Sequence, residues 1–469
     1  MSGTQRLEFK DKKSQKFWEA SLDGPKLLTR WGRIGTDGQS QQKKFKYDFE
    51  ARRAMREQVD AKLKKGYRRA KTAAELELEK PPEHPSKRNP RLEQAVLDAP
   101  DDKSRWRVYS DWLQGEGDPR GELMALQIQL ETKRDAKLSK RAGAILEQHA
   151  AALLGPLRAH PTTLDGKDKP VATWRRGFID SLRISYNSYA RDGQPPIDVP
   201  KWLSEVLEHP SAVFVREIVL AEYNTGDWDK KRSSSQVYQH LTDQIVDAAP
   251  RALERLVVGE YEFPDETEIS WTWLGSVGGI WKVCPKLKSL TMQGGSIALG
   301  TIDAPSLTEL TLRTGGLPGP ALKSLAAAAM PKLERLEVWL GTGEYGGEHD
   351  VADLAPLLTG KLTPKLTHLG LKNAQHQDEV AILLAKAPIV KQLTSLDLSM
   401  GCMTDDGALA LAKGARGWNL QSLDVSENYL SSVGIAAVKK LANKVNVKSQ
   451  READDDGDGT VYRYVSVGE

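Results

Sequence analysis

A three-position apolar frame recurs along residues 174–444 and constrains the fold more than any other feature. Each copy has Leu, Ile, Val or Met at its first, fourth and sixth positions, and successive copies are 20 to 38 residues apart. The fourth and sixth positions predict a short strand with one buried face, and the repetition predicts that the strands stack around one continuous core. The nine copies begin at Ile179, Val215, Leu253, Leu287, Leu307, Leu333, Leu366, Leu393 and Leu420.

This frame resembles the leucine-rich repeat, in which each unit contributes one parallel strand and a return segment. The resemblance implies an α/β solenoid with a horseshoe shape, and Asn187 and Asn428 occupy the family's turn position. Residues between the leucines would face the concave surface, where a protein partner binds. A concave face without a specific partner is the alternative. The expected protein-binding residues are Arg313, Arg335, Glu337, Trp339, His368, Lys372, Asp397 and Asp424.

Positive charge is concentrated at the N-terminus. Residues 1–71 contain 20 Lys or Arg and 9 Asp or Glu, a net charge of +11, whereas the remaining residues carry −8. A basic segment of this kind attracts a polyanion, unless it is simply a solvated surface without a partner. Apolar alternation predicts strands at 6–9, 16–22, 26–34 and 41–47, and helical spacing predicts a helix at 49–65.

The basic segment also contains the triplet Trp31-Gly32-Arg33. With the flanking residues 29–36, Lys16-Phe17-Trp18 and Lys64-Lys65-Gly66-Tyr67, it resembles the WGR domain, an α+β unit. In DNA-dependent poly(ADP-ribose) polymerases this domain engages DNA breaks. The resemblance therefore implies that Trp31 contacts a terminal sugar and that Arg33 supports this contact. Charge alone predicts phosphate contacts from Arg30, Lys43, Lys44, Lys64 and Lys65. A Trp packed in a small core is the structural alternative.

Three further segments complete the predicted organisation, which begins with the WGR domain at 1–71. Prolines among Glu and Lys predict a linker at 72–90. Residues 91–160 predict a helical module with helices at 92–97, 104–113 and 121–148, and its Asp-Trp-Leu and Gly-Asp-Pro-Arg-Gly-Glu segments resemble a companion module of myxobacterial and planctomycete repeat proteins. After the solenoid at 174–444, alternating residues predict a hairpin at 445–469 that covers the edge of the last repeat.

Motifs that would indicate catalysis or metal binding are weak. The glycine motif at 341–346 follows a repeat strand, and the acidic run from Asp454 has Val465 where a calcium loop requires Glu. The histidines lack zinc spacing, and the two cysteines exclude a disulfide framework. No apolar stretch is long enough to span a bilayer. We expect no catalytic residue, no metal, no cofactor, no small-molecule substrate, no membrane partner and a cytoplasmic location.

These features predict a non-enzymatic adaptor or sensor. The WGR domain would bind DNA ends or nicks, and the repeats would hold a protein partner. One alternative is a purely protein-interaction scaffold, a regulator or target of a partner enzyme in a bacterial stress or defence pathway, whose WGR domain docks on protein. A second is an enzyme with a site built on the insertions at 224–236 or 259–281.

Overall fold

The computed structural model describes residues 4–11, 13–70, 86–159, 171–187, 198–224, 237–456 and 461–468. Most of the predicted linker, the insertion at 225–236 and residues 457–460 of the acidic run lie outside the described residues, as does the side chain of Asn187. The described chain contains an N-terminal α+β unit, a helical module and a mixed α/β region with a large parallel sheet.

The N-terminal unit is an antiparallel sheet with one helix on its face. The strands pair in the order β4-β3-β2-β1-β5. Met55 of the helix packs on Leu7, Trp18 and Leu27 of the sheet, and these side chains form the core of the unit. The elements are β1 (Gln5–Lys10), β2 (Gln15–Asp23), β3 (Lys26–Arg33), β4 (Gln39–Lys44), α1 (Asp48–Lys64) and β5 (Arg68–Arg69).

The helical module has five helices, and the predicted single helix at 121–148 is wrong. Two helices cover that range, because the carboxylate of Asp135 accepts hydrogen bonds from the backbone N–H groups of Lys137 and Leu138 and starts a new helix. The helices are α2 (Pro90–Asp98), α3 (Lys103–Gly115), α4 (Pro119–Leu130), α5 (Ala136–Gln148) and α6 (Ala150–Leu154).

A buried ion pair lies at the start of α4. The side chains of Asp118 and Arg120 are both fully buried, and their Oδ2 and Nη2 atoms are 2.7 Å apart. The backbone N–H of Lys87 donates to the same Asp118 oxygen at 2.7 Å, so the pair also anchors the chain that enters the module. Removing one partner of such a pair is strongly destabilising, because the other charge stays buried. Asp118 is therefore a structural residue.

The large region is built on an eleven-stranded sheet in the order β18-β17-β16-β15-β14-β13-β11-β9-β8-β7-β6. Among the strands of the described residues, β6 alone is antiparallel to its neighbour. The sheet strands are β6 (Ala172–Arg175), β7 (Phe178–Asn187), β8 (Glu217–Asn224), β9 (Arg255–Glu260), β11 (Ser289–Gln293), β13 (Glu309–Arg313), β14 (Arg335–Gly341), β15 (His368–Ala374), β16 (Ser395–Asp397), β17 (Leu420–Asp424) and β18 (Ala442–Asn446). Two short strands, β10 (Trp273–Ser276) and β12 (Gly295–Ala298), form a separate parallel pair.

Helices and 3₁₀ turns return the chain between the strands. The helices are α7 (Val199–Glu208), α8 (Val237–Ala248), α9 (Ile280–Val283), α10 (Gly319–Ala327), α11 (Ala355–Leu358), α12 (Gln377–Leu384), α13 (Asp405–Gly414) and α14 (Ser432–Val438). The 3₁₀ turns are Gly155–Ala159, Pro210–Ala212, Ile269–Trp271, Gly343–Tyr345, Val351–Leu354 and Pro388–Lys391.

The predicted apolar frame forms the core of this region. All 27 frame positions are at most 3% exposed. Strand register aligns the fourth position of each copy, so that Leu310, Leu336, Leu369 and Leu396 lie side by side in adjacent strands. Each fully buried aliphatic side chain contributes about 1.5–3 kcal/mol relative to an exposed one. This prediction from the sequence is confirmed.

Carboxylates tie α12 to α13 and α13 to α14. Asp378, at the start of α12, accepts hydrogen bonds from the backbone N–H groups of Thr404 (2.8 Å) and Gly407 (3.0 Å). Asp405 accepts equivalent bonds from Ser431 and Gly434 one repeat later. Glycine is required at positions 407 and 434, because a β-carbon at either one would overlap the carboxylate of Asp378 or Asp405, respectively.

The C-terminal end differs from the predicted hairpin at 445–469. Residues Ala442–Asn446 pair in parallel with β17 and add one more strand to the sheet. The hairpin is limited to β19 (Asp454–Asp455) and β20 (Val461–Tyr462), which pair with each other. Val445 to Lys448 is therefore not a hairpin arm. Ala442, Val445 and Val447 instead occupy the first, fourth and sixth positions of a tenth copy of the frame, with the small Ala at the first position.

The helical module packs on the opposite end of the sheet. Trp106 and Tyr109 of α3 share a core with Phe178, Phe214 and Ala252, which precede or begin the first three parallel strands. Arg176 adds an ion pair to Glu131 at the end of α4 (2.6 Å). The module thus covers apolar surface at the beginning of the sheet.

Candidate nucleic-acid and protein-binding surfaces

The two faces of the N-terminal sheet have different chemistry. Trp31 is half-buried beside Trp18, its partner in the adjacent strand, and packs against the core under α1. Arg33, two residues later on the same face, is exposed and lies opposite Lys16 of β2. Trp31 thus serves the core and still leaves part of its indole accessible at the end of the sheet.

The triplet glycine is required by a close backbone approach. A β-carbon at Gly32 would lie 2.7 Å from the α-carbon of Gly38, and one at Gly38 would lie 2.8 Å from the ring of Phe17. Gly38 also has a φ of +70°, which favours glycine. The two glycines therefore fold the loop after β3 onto the strand that carries Trp31.

Arg30 belongs to the opposite face of the sheet. Its guanidinium lies 5.3 Å from the Phe17 ring centroid, and that of Arg6 lies 4.6 Å from the same centroid. Glu19 joins the two, with Nη2 of Arg30 at 2.7 Å and Nη1 of Arg6 at 2.6 Å. Burial acts to raise the pKa of Glu19, but the hydrogen bonds from both arginines outweigh it and lower the pKa. The charge of Arg30 is therefore matched within the domain.

A cluster of cations lies on the Trp31 face. The Nζ atom of Lys62 is 5.8 Å from the Trp18 ring centroid and 5.2 Å from that of Tyr67. Burial, followed by the charges of Lys65 and Lys16, lowers the pKa of Lys62. No carboxylate is among these causes, so a bound anion would relieve the repulsion. We call Lys16, Arg33, Lys62 and Lys65 the basic cluster.

The basic cluster overlaps only in part with the residues predicted from the sequence. Arg33 and Lys65 belong to it, and Trp31 lies on the same face. Lys43 lies 5.0 Å from the Phe45 ring on the edge strand β4, Lys44 points to the other face beside Lys26, and Lys64 is exposed at the end of α1. Lys16 and Lys62 were missed. Strand alternation from Trp18 could have found Lys16, but the position of Lys62 depends on how α1 crosses the sheet.

The outward face of the large sheet carries the predicted protein-binding residues in rows. Glu337 accepts hydrogen bonds from Arg313 Nε (3.3 Å) and Trp339 Nε1 (3.0 Å). Lys372 and Arg313 lie about equally far from the Trp339 ring, at 6.0 and 5.9 Å. Lys372 also pairs with Asp397 at 3.2 Å. These five residues form one connected cluster, which we call the Trp339 cluster.

The other predicted residues of this face lie beside the Trp339 cluster. Arg335 and His368 are neighbours in adjacent strands, and burial, followed by the charge of Arg335, lowers the pKa of His368. Both effects favour the neutral form of the His368 imidazole. Asp424 accepts hydrogen bonds from Asn446 Nδ2 (2.8 Å) and Ser426 Oγ (2.6 Å). The face combines an aromatic side chain with mixed charges.

Groups that could support a metal or a membrane span are not found in the described part of the chain. No three or more His, Cys, Asp or Glu side chains of the described residues are placed to hold a metal ion. Within the same residues, no helix is both long and apolar enough to cross a bilayer. Cys284 and Cys402 are buried, and burial raises the pKa of Cys284 to about 12.

Comparisons with known proteins agree with two of the sequence resemblances. The WGR domain family matches residues 3–74. The leucine-rich repeat family matches residues 392–412, which contain β16 and most of α13. A crystal structure of a Bacteroides fragilis protein aligns over 96% of this chain and 97% of its own, with 21% identity and a TM-score of 0.49. No curated protein matches. Residues 3–74 are thus a WGR domain, and the mixed α/β region includes a leucine-rich repeat.

Proposed function

We propose that the protein is a non-enzymatic adaptor that binds DNA ends or nicks through its WGR domain and a protein through its large sheet. The observation that carries this proposal is the basic cluster beside the exposed part of Trp31. Four cations on one face, of which Lys16 and Lys65 lower the pKa of Lys62 by their charge, suit the phosphates next to a strand break, and an indole edge suits the terminal sugar. Arg30, by contrast, is already paired with Glu19.

The protein-binding half of the proposal rests on the Trp339 cluster. The parallel strands, the shared register and the inter-repeat carboxylates support a leucine-rich repeat solenoid, and the outward face would be its concave surface. A partly buried Trp among Arg and carboxylate side chains is typical of a protein-binding hot spot. The helical module caps the first repeats, because its aromatic side chains cover the start of the sheet. We also propose that it is related to the companion modules of bacterial repeat proteins.

Fluorescence anisotropy tests the DNA half. The full chain is titrated onto a labelled duplex with a 5′-phosphorylated nick, and an intact duplex of the same sequence is the control. We expect tighter binding to the nicked duplex, and weaker binding by Trp31→Ala and Arg33→Ala. Absence of binding at low salt, with the protein folded by circular dichroism, would refute the DNA half and favour the scaffold in which the WGR domain docks on protein.

Co-purification tests the protein half. A tagged chain is recovered from its native host in the presence of nuclease, beside the double variant Arg335→Glu/Trp339→Ala. We expect a specific protein partner that is lost with the double variant. Equal recovery by both forms would place the partner elsewhere on the molecule. The proposal also includes a cytoplasmic location and the lack of an enzymatic activity. Each of these two points has its own measurement, cell fractionation for the first and activity assays for the second.

A further inference from the structure

The last described residues, Tyr464–Gly468, run across the ends of the sheet strands. The hydroxyl of Tyr429 accepts a hydrogen bond from the backbone N–H of Tyr464 (2.9 Å) and donates to its carbonyl (3.0 Å). Two residues on, the backbone N–H of Ser466 donates to the carbonyl of Met400 (2.9 Å), and its hydroxyl donates to Glu427 (2.9 Å). We call residues 464–468 the tail.

Val467 is the apolar anchor of the tail. Its backbone N–H donates to Oδ1 of Asn373 (2.9 Å), and Nδ2 of Asn373 donates to its carbonyl (2.6 Å). One fully buried amide side chain thus satisfies both backbone groups of Val467, as a neighbouring strand would. The Val467 side chain is 6% exposed. It packs in a cluster with Tyr261, Phe263, Ile269, Trp339 and Met400.

Small residues shape the end of the path. A β-carbon on Gly315 would overlap the carbonyl oxygen of Gly468, and a β-carbon on Gly468 would lie 2.9 Å from the ring of Tyr345. A larger residue at 315 would displace the tail backbone, and a larger residue at 468 would require the Tyr345 ring to move, so this path favours glycine at both positions. The close packing favours a glycine after Val467. The two hydrogen bonds of Asn373 favour an extended backbone at Val467 itself.

The floor of the path is the same structural position in consecutive repeats. Asn373, Met400 and Glu427 are spaced 27 residues apart and have φ values of +52°, +70° and +54°. Asn373 lies near the end of β15, whereas Met400 and Glu427 follow β16 and β17. Each contributes one or more polar contacts to the tail. Neighbouring strands are about 4.8 Å apart and an extended chain advances about 3.3 Å per residue, so an extended peptide advances about 1.5 residues per repeat. Ser466 contacts the repeats of both Glu427 and Met400, and Val467 contacts the repeat of Asn373. An extended peptide that crosses the repeats fits this geometry.

We propose that the ends of these strands form a groove for an extended peptide, and that the chain's own tail is its resident occupant. A partner segment with a hydroxyl residue, a branched aliphatic residue and a glycine in succession takes its place. The tail is held by hydrogen bonds and by the buried side chain of Val467. A competing segment of the same chemistry can form each of these contacts in its place. Because the tail is covalently tethered, its effective concentration is in the millimolar range, and a partner must overcome that advantage.

Binding of the tail sequence in trans tests this groove. The probe is a fluorescein-labelled peptide with the sequence of residues 464–469, titrated by anisotropy onto the full chain and onto a chain that ends at Arg463. We expect saturable binding to the truncated chain and at least tenfold weaker binding to the full chain. A peptide with Asp in place of Val467 is the matched control and should bind neither form.

A point variant separates release of the tail from loss of folding. Val467→Asp in the full chain removes the anchor, whereas Val461→Asp makes the same change at a residue that is 47% exposed. We expect the probe to bind Val467→Asp and not Val461→Asp. Hydrogen exchange in the wild-type chain should show the N–H of Val467 exchanging at least 100-fold faster than that of Leu396 in β16.

Three results would overturn the proposal. The first is a failure of the probe to bind both the truncated chain and Val467→Asp while each keeps its native circular dichroism. The second is equal binding to the full and truncated chains. The third is loss of native structure in both altered forms, together with equal exchange rates for Val467 and Leu396, because the tail would then be an integral part of the core.

Discussion

Removing single cations from the WGR domain should change the salt dependence of DNA binding in a way that depends on the face of the sheet. Arg33 and Arg30 are three residues apart on one strand and carry the same charge. Arg33 lies in the basic cluster, whereas Arg30 lies on the other face and is paired with Glu19. Arg33→Ala and Arg30→Ala therefore make the same change in net charge with different expected effects.

The magnitude follows from counterion release. If the four residues of the basic cluster each contact one phosphate, the slope of log K against log salt is about −3.6. Affinity for the nicked duplex then falls about 140-fold between 50 and 200 mM salt. Arg33→Ala leaves three contacts, a slope of about −2.7 and a fall of about 40-fold over the same range. Arg30→Ala should keep the slope of the wild-type chain.

The measurement is a set of anisotropy titrations at five salt concentrations for each form. Arg53→Ala is the control for net charge, since Arg53 is an exposed residue of α1 paired with Glu57. The reasoning is refuted if Arg30→Ala lowers the slope as much as Arg33→Ala does. It is also refuted if all three variants reduce it equally, which would indicate a diffuse attraction to the +11 segment rather than a defined site.

Three further predictions concern stability. Asp378→Ala removes the carboxylate that accepts two backbone N–H groups of the next repeat and should destabilise by about 1–2 kcal/mol in urea unfolding, whereas the exposed Asp406→Ala should stay within about 0.5 kcal/mol. Gly121→Ala should lower Tm by calorimetry, because its β-carbon would lie 2.6 Å from the backbone nitrogen of Gln114; an unchanged Tm would contradict the close packing of α3 on α4. Burial and the charge of Arg120 lower the pKa of His209 to about 4, so between pH 6.5 and 4 the unfolded chain binds a proton that the folded chain does not. The free energy of unfolding should therefore fall by up to about 3 kcal/mol as the pH decreases from 6.5 to 4. His209→Asn should remove most of that loss.

The core of the repeat region was predictable because one physical rule determines it. A parallel strand with one buried face needs an apolar residue at every second position, and the frame repeats this requirement often enough to stand out. The last copy, Ala442/Val445/Val447, was missed because its first position is the small Ala. The helix at 121–148 was predicted too long for a different reason, since Asp135 can either lie on a helix surface or cap a new helix, and tertiary contacts decide between them.

The candidate sites were harder to predict, because the sequence shows charge without showing its neighbours. Arg30 and Arg33 look equivalent in the printed chain, and only strand pairing shows that Arg30 meets Glu19 across the sheet. Lys62 was missed because it reaches Trp18 from the helix, a contact between residues 44 positions apart. The tail's contact with Asn373 spans 94 residues and has no signal in local patterning.

Trp339 connects the two surfaces of the large sheet. Its indole N–H donates to Glu337 in the outward-face cluster, and its ring packs in the same group of side chains as Val467 of the tail. Most charges of that cluster already neutralise one another, so a charged partner gains little by replacing one internal pair with another. Burial of the Trp339 ring is then the main source of affinity on this face, and the tail controls how much of the ring is available. We therefore expect release of the tail by Val467→Asp to shift Trp339 fluorescence and to tighten binding of a partner to the outward face. A shift in fluorescence without tighter binding would show that the tail does not control the outward face.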